Sequence, residues 1–206
     1  MIGKAPFPGN PNYCSGCFKH MLEHRAGAEV ECSLLFADVR GSTSMAESMS
    51  ATEFRGLMDR FFATASDVLV NHDAIVDKFV GDEVIGLFIP ALTGELHALR
   101  AIEAGRSLLA ATGSGTSQPW LPVGAGINTG VAFVGAVGEG SQVEFTALGD
   151  PVNVAARLAS EAAAGELLVT AAAAASAHLA DAGLEHRQLT LKGKSEPTDV
   201  VVLGPS

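Results

Sequence analysis

The sequence predicts an α+β protein, because strand-like and helix-like segments alternate along most of its length. Two short apolar runs, 74–79 and 83–88, flank Gly81 and Asp82, a pair typical of a hairpin turn. Residues 50–73 repeat apolar side chains at helical spacing. Hairpins that alternate with amphipathic helices predict an antiparallel-rich sheet of the ferredoxin-like kind, with helices packed on one of its faces.

Length, composition and charge limit the size of the domain and the classes of partner. The 206 residues, 48% of them hydrophobic, can bury one good core. We assign residues 28–206 to that domain and residues 1–27 to an N-terminal extension. A formal net charge of -10 argues against general binding to nucleic acid. Because no apolar run reaches the roughly 18 residues of a membrane span, and three cysteines fit a reducing compartment, we expect a cytoplasmic protein with no nucleic-acid or membrane partner.

The first half of the domain contains a buried strand, two helices and the hairpin. The strand is predicted at 31–39. Ser50 and Glu53 are three residues apart, as in a capping box, and therefore mark the start of the first long helix. A second helix is predicted at 94–111, and the Gly- and Ser-rich residues 112–119 form a loop.

The second half begins with two strand-like runs interrupted by glycines, within 121–138. A strand end then leads into a helix, for which Asp150 is the expected N-cap, Pro151 the first helical residue and Gly165 the end. The remaining elements are an Ala-rich helix and two strands, predicted near 171–180, 186–193 and 198–204.

Two acidic residues stand out because of their positions. Asp38 ends a buried strand and Asp82 lies at the tip of the hairpin. If the two strands are neighbours, the carboxylates repel each other unless a divalent cation lies between them, and Mg²⁺ accepts one or two protein carboxylates. In the alternative interpretation, Asp38 only accepts backbone hydrogen bonds from residues 40–43 and Asp82 is an ordinary turn residue.

Four stretches occur in one order along the chain: "LFADVRGST", "VDKFVGDEVIGLF", "GINTGVAFVGAVG" and "FTALGDPVNVAARL". Together they resemble the catalytic domain of the class III nucleotidyl cyclases, and the resemblance covers about residues 30–203. It implies the class III nucleotidyl cyclase fold. It also implies an adenylate cyclase that converts ATP to 3′,5′-cyclic AMP and pyrophosphate by in-line attack of the 3′-hydroxyl.

The resemblance implies roles for particular residues in metal and phosphate binding. Asp38, Val39 and Asp82 would hold two Mg²⁺ or Mn²⁺ ions. The backbone after Asp38, including Gly41, Ser42 and Thr43, would wrap the triphosphate, which suits N–H groups exposed in a turn. Lys192 would bind the terminal phosphates, although a lysine at the end of an edge strand is the alternative.

The resemblance also implies residues for the base, the ribose and the reacting phosphate. Lys78 would contact adenine and favours ATP, because guanylyl cyclases usually carry glutamate there. Thr146 stands where an aspartate is usual, and its hydroxyl can accept a hydrogen bond from the adenine amino group. Asn153 would orient the ribose, and Arg157, on the same helix face, would neutralise charge at the α-phosphate. In isolation, Arg157 also fits an exposed helix arginine.

In this family the acids come from one protomer, and the base and transition-state residues come from the other. Since this chain has both sets, the resemblance implies a head-to-tail homodimer with two composite sites. Two alternatives remain open. They are a guanylate cyclase and a catalytically silent nucleotide-binding dimerisation module.

Residues 13–24 contain a cysteine–histidine run outside the cyclase motifs. Cys14, Cys17, His20 and His24 fall within one arc if the segment is helical, and all four types bind zinc. A redox pair of the two cysteines and simple packing of the helix are the other interpretations. The sequence leaves the three possibilities open.

Overall fold

The computed structural model describes residues 6–7, 10–24, 26–139, 142–180 and 182–205. The N-terminal segment forms a small hairpin of β1 (Pro6–Phe7) and β2 (Asn10–Cys14), followed by α1 (Ser15–Glu23). The Asn10 side chain is buried and donates a hydrogen bond to the Ala74 carbonyl, 2.8 Å away. This segment therefore packs against the rest of the chain, and the domain boundary at residue 28 stays a prediction.

Eight strands of the described residues form one open, mostly antiparallel sheet. In chain order they are β3 (Gly27–Val39), β4 (Ile75–Val80), β5 (Glu83–Phe88), β6 (Val123–Glu139), β7 (Gln142–Leu148), β8 (Leu167–Thr170), β9 (Glu185–Leu189) and β10 (Thr198–Leu203). Their spatial order is β4-β5-β3-β6-β8-β10-β9, and β7 pairs with the second half of β6. Only the β6–β8 pair among these strands is parallel. The α+β prediction with an antiparallel-rich sheet is confirmed.

The helices after α1 are α2 (Ser42–Ser48), α3 (Ala51–Asn71), α4 (Pro90–Thr93), α5 (His97–Ala111), α6 (Asp150–Glu161) and α7 (Ala171–Ser176), with one 3₁₀ turn at Gly94–Leu96. The capping box at the start of α3 is confirmed, because Ser50 and Glu53 exchange side-chain and backbone hydrogen bonds. Among the described residues, no helix has the length and apolar character needed to cross a membrane.

Alternate side chains of β3 face two different apolar layers. Leu35 and Ala37 belong to the layer formed with α3, α5 and α7. Leu34 and Phe36 pack on the opposite side, in the layer that includes Ala155 of α6. The expectation of helices on one face is therefore wrong for α6, which lies on the other face and borders the candidate site.

The glycines of 121–138 do not interrupt the strand. Instead, β6 is continuous over 17 residues. A Cβ on Gly126 would lie only 2.4 Å from the backbone nitrogen of Ala159 in α6. Gly126 therefore reflects the close approach of α6 rather than a break between strands.

The predicted ends of α6 also require correction. Gly149, with φ of 137°, is the N-cap, so Asp150 is the first helical residue rather than the cap. The helix ends at Glu161 and not at Gly165. Because the φ of 137° is open to glycine but strained for other residues, the backbone and not a side chain decides where α6 begins.

Candidate active site

Three carboxylates meet where β3 ends beside the β4–β5 turn. Asp38 lies directly opposite Glu83, and the side chains of Asp38 and Asp82 are hydrogen-bonding neighbours. Burial raises the pKa of Asp38 to about 6, the charge of Arg40 opposes this, and the charge of Asp82 adds to it. Burial also raises the pKa of Glu83 to about 7, together with the charges of Asp38 and Asp82. The site therefore concentrates three carboxyl groups, two of which have raised pKa values.

Arg40 supplies positive charge to this acidic group. Its Nη2 donates to the Asp38 carboxylate, and its Nη1 donates to the Ser160 carbonyl of α6 at 2.9 Å. Its Nε is buried and makes no hydrogen bond within the described part of the chain. The Val39 N–H donates to the Asp82 backbone carbonyl at 3.4 Å and also acts to lower the pKa of Asp38. A neighbouring arginine and a backbone amide thus compensate the charge at position 38.

The acidic group has the donor chemistry of a hard divalent cation. Mg²⁺ takes oxygen ligands and accepts one or two protein carboxylates, while water and phosphate complete its shell. The adjacent carboxylates of Asp38 and Asp82 fit this requirement, and the Asp38 carboxylate already binds the guanidinium cation of Arg40. Among the described residues, no group of three His, Cys, Asp or Glu side chains could hold a metal by itself.

The segment assigned to the triphosphate lies directly after these acids. Gly41 has φ of 74° and is the N-cap of α2, so Ser42 and Thr43 are the first helical residues. The first N–H groups of a helix have no partner within the helix. A Cβ at Gly41 would meet nothing within 4 Å, so the turn is open to solvent.

A cavity of about 580 Å³ lies on the α6 side of the sheet; we call it the base cavity after the predicted base-recognition residues that line it. It is bounded by the β4–β5 hairpin, β7 and α6. Lys78, Thr146 and Asn153 all line it, whereas Asp38 and Asp82 do not. The structure thus brings three of the predicted substrate residues together and leaves the two acids outside that group.

Hydrogen bonds hold the two predicted base-recognition residues, Lys78 and Thr146, in the cavity wall. Lys78 Nζ donates to Glu144 at 2.7 Å, which raises the pKa of Lys78 and lowers that of Glu144. The Thr146 hydroxyl donates to Asp77 Oδ2, also at 2.7 Å. Burial raises the pKa of Asp77, while the Thr146 hydrogen bond and the Lys78 charge oppose that rise. Both residues are therefore positioned through acidic partners.

Arg157 lies beside the turn that contains Lys192. A Cβ on Gly193 would lie 3.4 Å from Arg157 Nη2, so the arginine lies over the turn that contains the exposed Lys192. In the same turn, Lys194 forms an ion pair with Asp150 at the start of α6. These contacts hold the cationic turn against the helix that carries Asn153 and Arg157.

A comparison with protein families identifies the chain. Residues 25–204 match the family model of the adenylate and guanylate cyclase catalytic domain. The chain belongs to this family. The cyclase domain is 31% identical over 142 residues to an adenylate cyclase of Anabaena cylindrica, and 32% identical over 140 residues to adenylate cyclase 1 of Rhizobium meliloti. These matches cover 66% and 65% of the chain but only 28% and 21% of the relatives, so it spans about a quarter of their length.

Solved structures of a guanylyl cyclase and of an adenylyl cyclase are both similar to this cyclase domain. The crystal structure of the guanylyl cyclase Cya2 has a TM-score of 0.78 at 28% identity, covering 87% of this chain and 95% of that one. The adenylyl cyclase CyaB from P. aeruginosa has a TM-score of 0.75 at 26% identity, covering 88% and 97%. The fold and the nucleotidyl cyclase family are thus established, whereas both base preferences occur among its structural relatives.

Sequence reasoning did not identify Arg40, Asp77 and Glu83, which lie in the candidate site. Each lies next to, or two residues from, a residue that the motifs identified. Their contacts depend on strand register and on α6, so only proximity to the motifs could have indicated them.

The cysteine–histidine run lies within the N-terminal segment, in and next to α1. Cys14 is the N-cap of α1, and the rings of His20 and His24 are in tilted contact, with centroids 4.0 Å apart. The side chain of Cys17 lies outside the described residues. Zinc binding, redox pairing and simple packing therefore all stay predictions.

Proposed function

We propose that this cyclase domain converts ATP to 3′,5′-cyclic AMP and pyrophosphate in a head-to-tail homodimer that requires Mg²⁺ or Mn²⁺. The observation that carries the proposal is the division of the site residues into two groups. Lys78, Thr146 and Asn153 share the base cavity, whereas Asp38 and Asp82 lie together outside it. A substrate that must contact both groups of residues would therefore bind between two chains, each of which contributes one group.

Divalent cations would be held by the carboxylates of Asp38 and Asp82, with the Val39 backbone completing the protein's contribution. When bound, two such ions lower the pKa of the attacking hydroxyl and stabilise the charge of the leaving phosphates. Arg40 already binds Asp38 as a cation and would have to release it when the ions bind. No side chain is assigned as a general base.

The partner chain would contribute the groups that recognise and orient ATP. Lys78 would donate a hydrogen bond to the adenine ring, and Thr146 would accept one from the adenine amino group. Asn153 would hold the ribose so that its 3′-hydroxyl is in line with the α-phosphorus. Arg157 would bind the α-phosphate as its charge increases, since a guanidinium is suited to phosphate oxygens.

The phosphate chain would extend towards further positive and backbone groups. Lys192, exposed in the turn beside Arg157, would bind the terminal phosphates. The open turn at Gly41, Ser42 and Thr43 would offer backbone N–H groups to the same phosphates. These contacts would hold the pyrophosphate while the bond to the α-phosphorus breaks.

A guanylate cyclase is the second candidate, because the Cya2 structure is a close structural relative of this domain. The lysine at position 78 argues for ATP over GTP. A catalytically silent dimerisation module is disfavoured, because Asp38, Asp82, Asn153 and Arg157 are all present.

A product assay tests the proposed function. The purified protein is incubated with Mg²⁺ or Mn²⁺ and ATP labelled at the α-phosphate, and we expect labelled cyclic AMP with an equal amount of pyrophosphate. Asp82→Asn is the inactive control, and Lys78→Glu is expected to lower the preference for ATP over GTP. Faster cyclisation of GTP would favour a guanylate cyclase. Tight ATP binding without any cyclic product would favour the silent module.

A further inference from the structure

Asp77 is a buried carboxylate in the wall of the base cavity, and the resemblance to the cyclases assigns it no role. Its side chain is only 5% exposed. Oδ2 accepts a hydrogen bond from the Thr146 hydroxyl, whereas Oδ1 is buried without a hydrogen bond within the described residues. The nearest cation, Lys78 Nζ, is 4.0 Å from Oδ1. Since burial of an unpaired polar atom is costly, its presence beside a ligand-sized cavity calls for an explanation.

A β-bulge places Asp77 in that wall. Val76 pairs with Gly86 and Lys78 pairs with the adjacent Ile85, so Asp77 is one extra residue in β4. Val76 packs against the layer that contains α3, while Asp77 and Lys78 both line the base cavity. In a regular strand, successive side chains would face opposite sides of the sheet. The bulge therefore aims two consecutive side chains at one cavity, as bulges near active sites often do.

The hydrogen bond from Thr146 to Asp77 determines what Thr146 can offer a base. A hydroxyl has one proton and can accept through its lone pairs. Because the Thr146 proton is donated to Asp77, its oxygen can only accept a hydrogen bond from a ligand in the cavity. At position 6, adenine carries an amino donor and guanine carries a carbonyl acceptor. An acceptor at Thr146 therefore matches adenine and repels guanine.

We propose that Asp77 is a specificity-determining residue that acts through Thr146, by holding the threonine hydroxyl as a hydrogen-bond acceptor for a 6-aminopurine. The proposal rests on the proposed function, because it assumes that the base cavity receives the purine ring of the nucleotide. Asp77 makes no contact with the reacting phosphate in this scheme. It positions the threonine proton away from the base.

The isosteric Asp77→Asn variant tests this role. The nearby Lys78 ammonium favours the amide oxygen over the amide nitrogen at the Oδ1 position, so Nδ2 faces Thr146. Thr146 then accepts from Nδ2 and turns its own proton towards the cavity, where it suits guanine. We expect the ratio of kcat/KM for ATP to that for GTP to fall at least about tenfold, the change expected from one altered hydrogen bond.

Three further single variants and one double variant control for charge and for the threonine itself. Asp59→Asn removes an exposed aspartate of α3 and should leave the ratio unchanged. Thr146→Ser keeps the hydroxyl and should keep the ATP preference. Thr146→Val removes it and should lower the preference, and Asp77→Asn added to Thr146→Val should then lower it no further, because Asp77 acts through the threonine.

A binding measurement distinguishes a failure of this proposal from a failure of the proposed function. Titration calorimetry with 3′-deoxy-ATP and 3′-deoxy-GTP, which lack the attacking hydroxyl, measures base preference without turnover. A wild-type preference for 3′-deoxy-ATP that falls in Asp77→Asn supports the role of Asp77 even if no cyclic product forms. Cyclisation of ATP by wild type with an unchanged ratio in Asp77→Asn overturns it and leaves the proposed function intact. If both Asp77→Asn and Asp77→Ser fail to fold, Asp77 is structural and the proposal is wrong.

Discussion

At the scale of single residues, the charge of Asp38 must be balanced in two states of the protein. Without metal, Arg40 binds its carboxylate, and both side chains are largely buried, with 22% and 26% of their surface exposed. With metal, the same carboxylate would be a ligand, and a guanidinium that remained on it would repel the ions. We therefore expect Arg40 to stabilise the metal-free protein and, if Asp38 is a metal ligand, to lower the affinity for metal.

The change Arg40→Met tests this balance. In EDTA, the free energy of unfolding should fall by about 1–3 kcal/mol, because the three neighbouring carboxylates lose the positive charge of Arg40. Addition of Mn²⁺ should stabilise the variant more than wild type, since no arginine competes. Urea unfolding with and without Mn²⁺ measures both effects. Arg100→Met, which breaks an exposed pair with Glu103, should change stability by less than about 0.5 kcal/mol. Equal loss in the two variants would contradict this account of Arg40.

The raised pKa values of Asp38 and Glu83 predict how stability depends on pH. Both pKa values are higher in the folded protein than the ordinary carboxyl values, so the folded state binds more protons. Their stabilising contribution is complete below the ordinary pKa and is lost as the pH rises through about 6 and about 7. In EDTA, the melting temperature should therefore decrease from about pH 5 to about pH 8 for this pair.

Glu83→Gln should weaken that decrease, because glutamine does not titrate. The matched control is Glu47→Gln, which neutralises an exposed glutamate of α2 and should leave the pH profile unchanged. Differential scanning fluorimetry across this pH range makes the comparison. A Glu83→Gln profile parallel to that of wild type would mean that Glu83 does not titrate as described.

At the scale of elements, the position of α6 depends on glycines in β6. A Cβ on Gly126 would come within 2.4 Å of the Ala159 nitrogen and 2.7 Å of the Ala155 carbonyl oxygen. These are backbone atoms, which cannot move aside as a flexible side chain can. Since α6 also carries Asn153 and Arg157, the glycine affects the proposed catalytic geometry as well as packing.

Gly126→Ala should therefore lower both stability and turnover. We expect a loss of about 1–3 kcal/mol, the usual cost of overpacking, and a reduced kcat with the fold retained. Gly56→Ala is the control, because Gly56 is exposed within α3 and a Cβ there meets nothing within 4 Å. That change should stabilise the protein by up to about 1 kcal/mol. Chemical denaturation and steady-state kinetics measure the two effects. An unchanged kcat in Gly126→Ala would mean that the packing of α6 on β6 does not affect catalysis.

At the scale of the whole molecule, the proposed homodimer places the two residue groups in one site. Each chain would contribute acids to one site and Lys78, Asn153 and Arg157 to the other. A variant that lacks one group should then be inactive alone but able to complement a variant that lacks the other group.

Asp38→Asn mixed with Arg157→Ala tests the shared site. Random exchange makes half of the dimers mixed, each with one intact site, so activity should recover to about a quarter of wild type. Each variant alone should be nearly inactive. Mixed dimers detected by differential affinity tags, but without activity, would contradict the head-to-tail arrangement.

The sequence was sufficient where structure depends on nearby residues. Ser50 and Glu53 marked the start of α3, and Gly81 with Asp82 marked the hairpin, because caps and turns are local. Close approaches between distant residues were not visible. Gly126 suggested a strand break, although it lies inside β6 because α6, more than twenty residues later, packs on it.

By itself, the sequence determined the fold class, the order of most elements and the family motifs that point to Asp38, Lys78 and Arg157. Only the tertiary structure decided that Glu83 and Arg40 join Asp38, that a bulge brings Asp77 to Thr146, and that α6 lies opposite the other long helices. The physical reason is that these contacts depend on strand register and on packing between segments far apart in the chain, which no local pattern records.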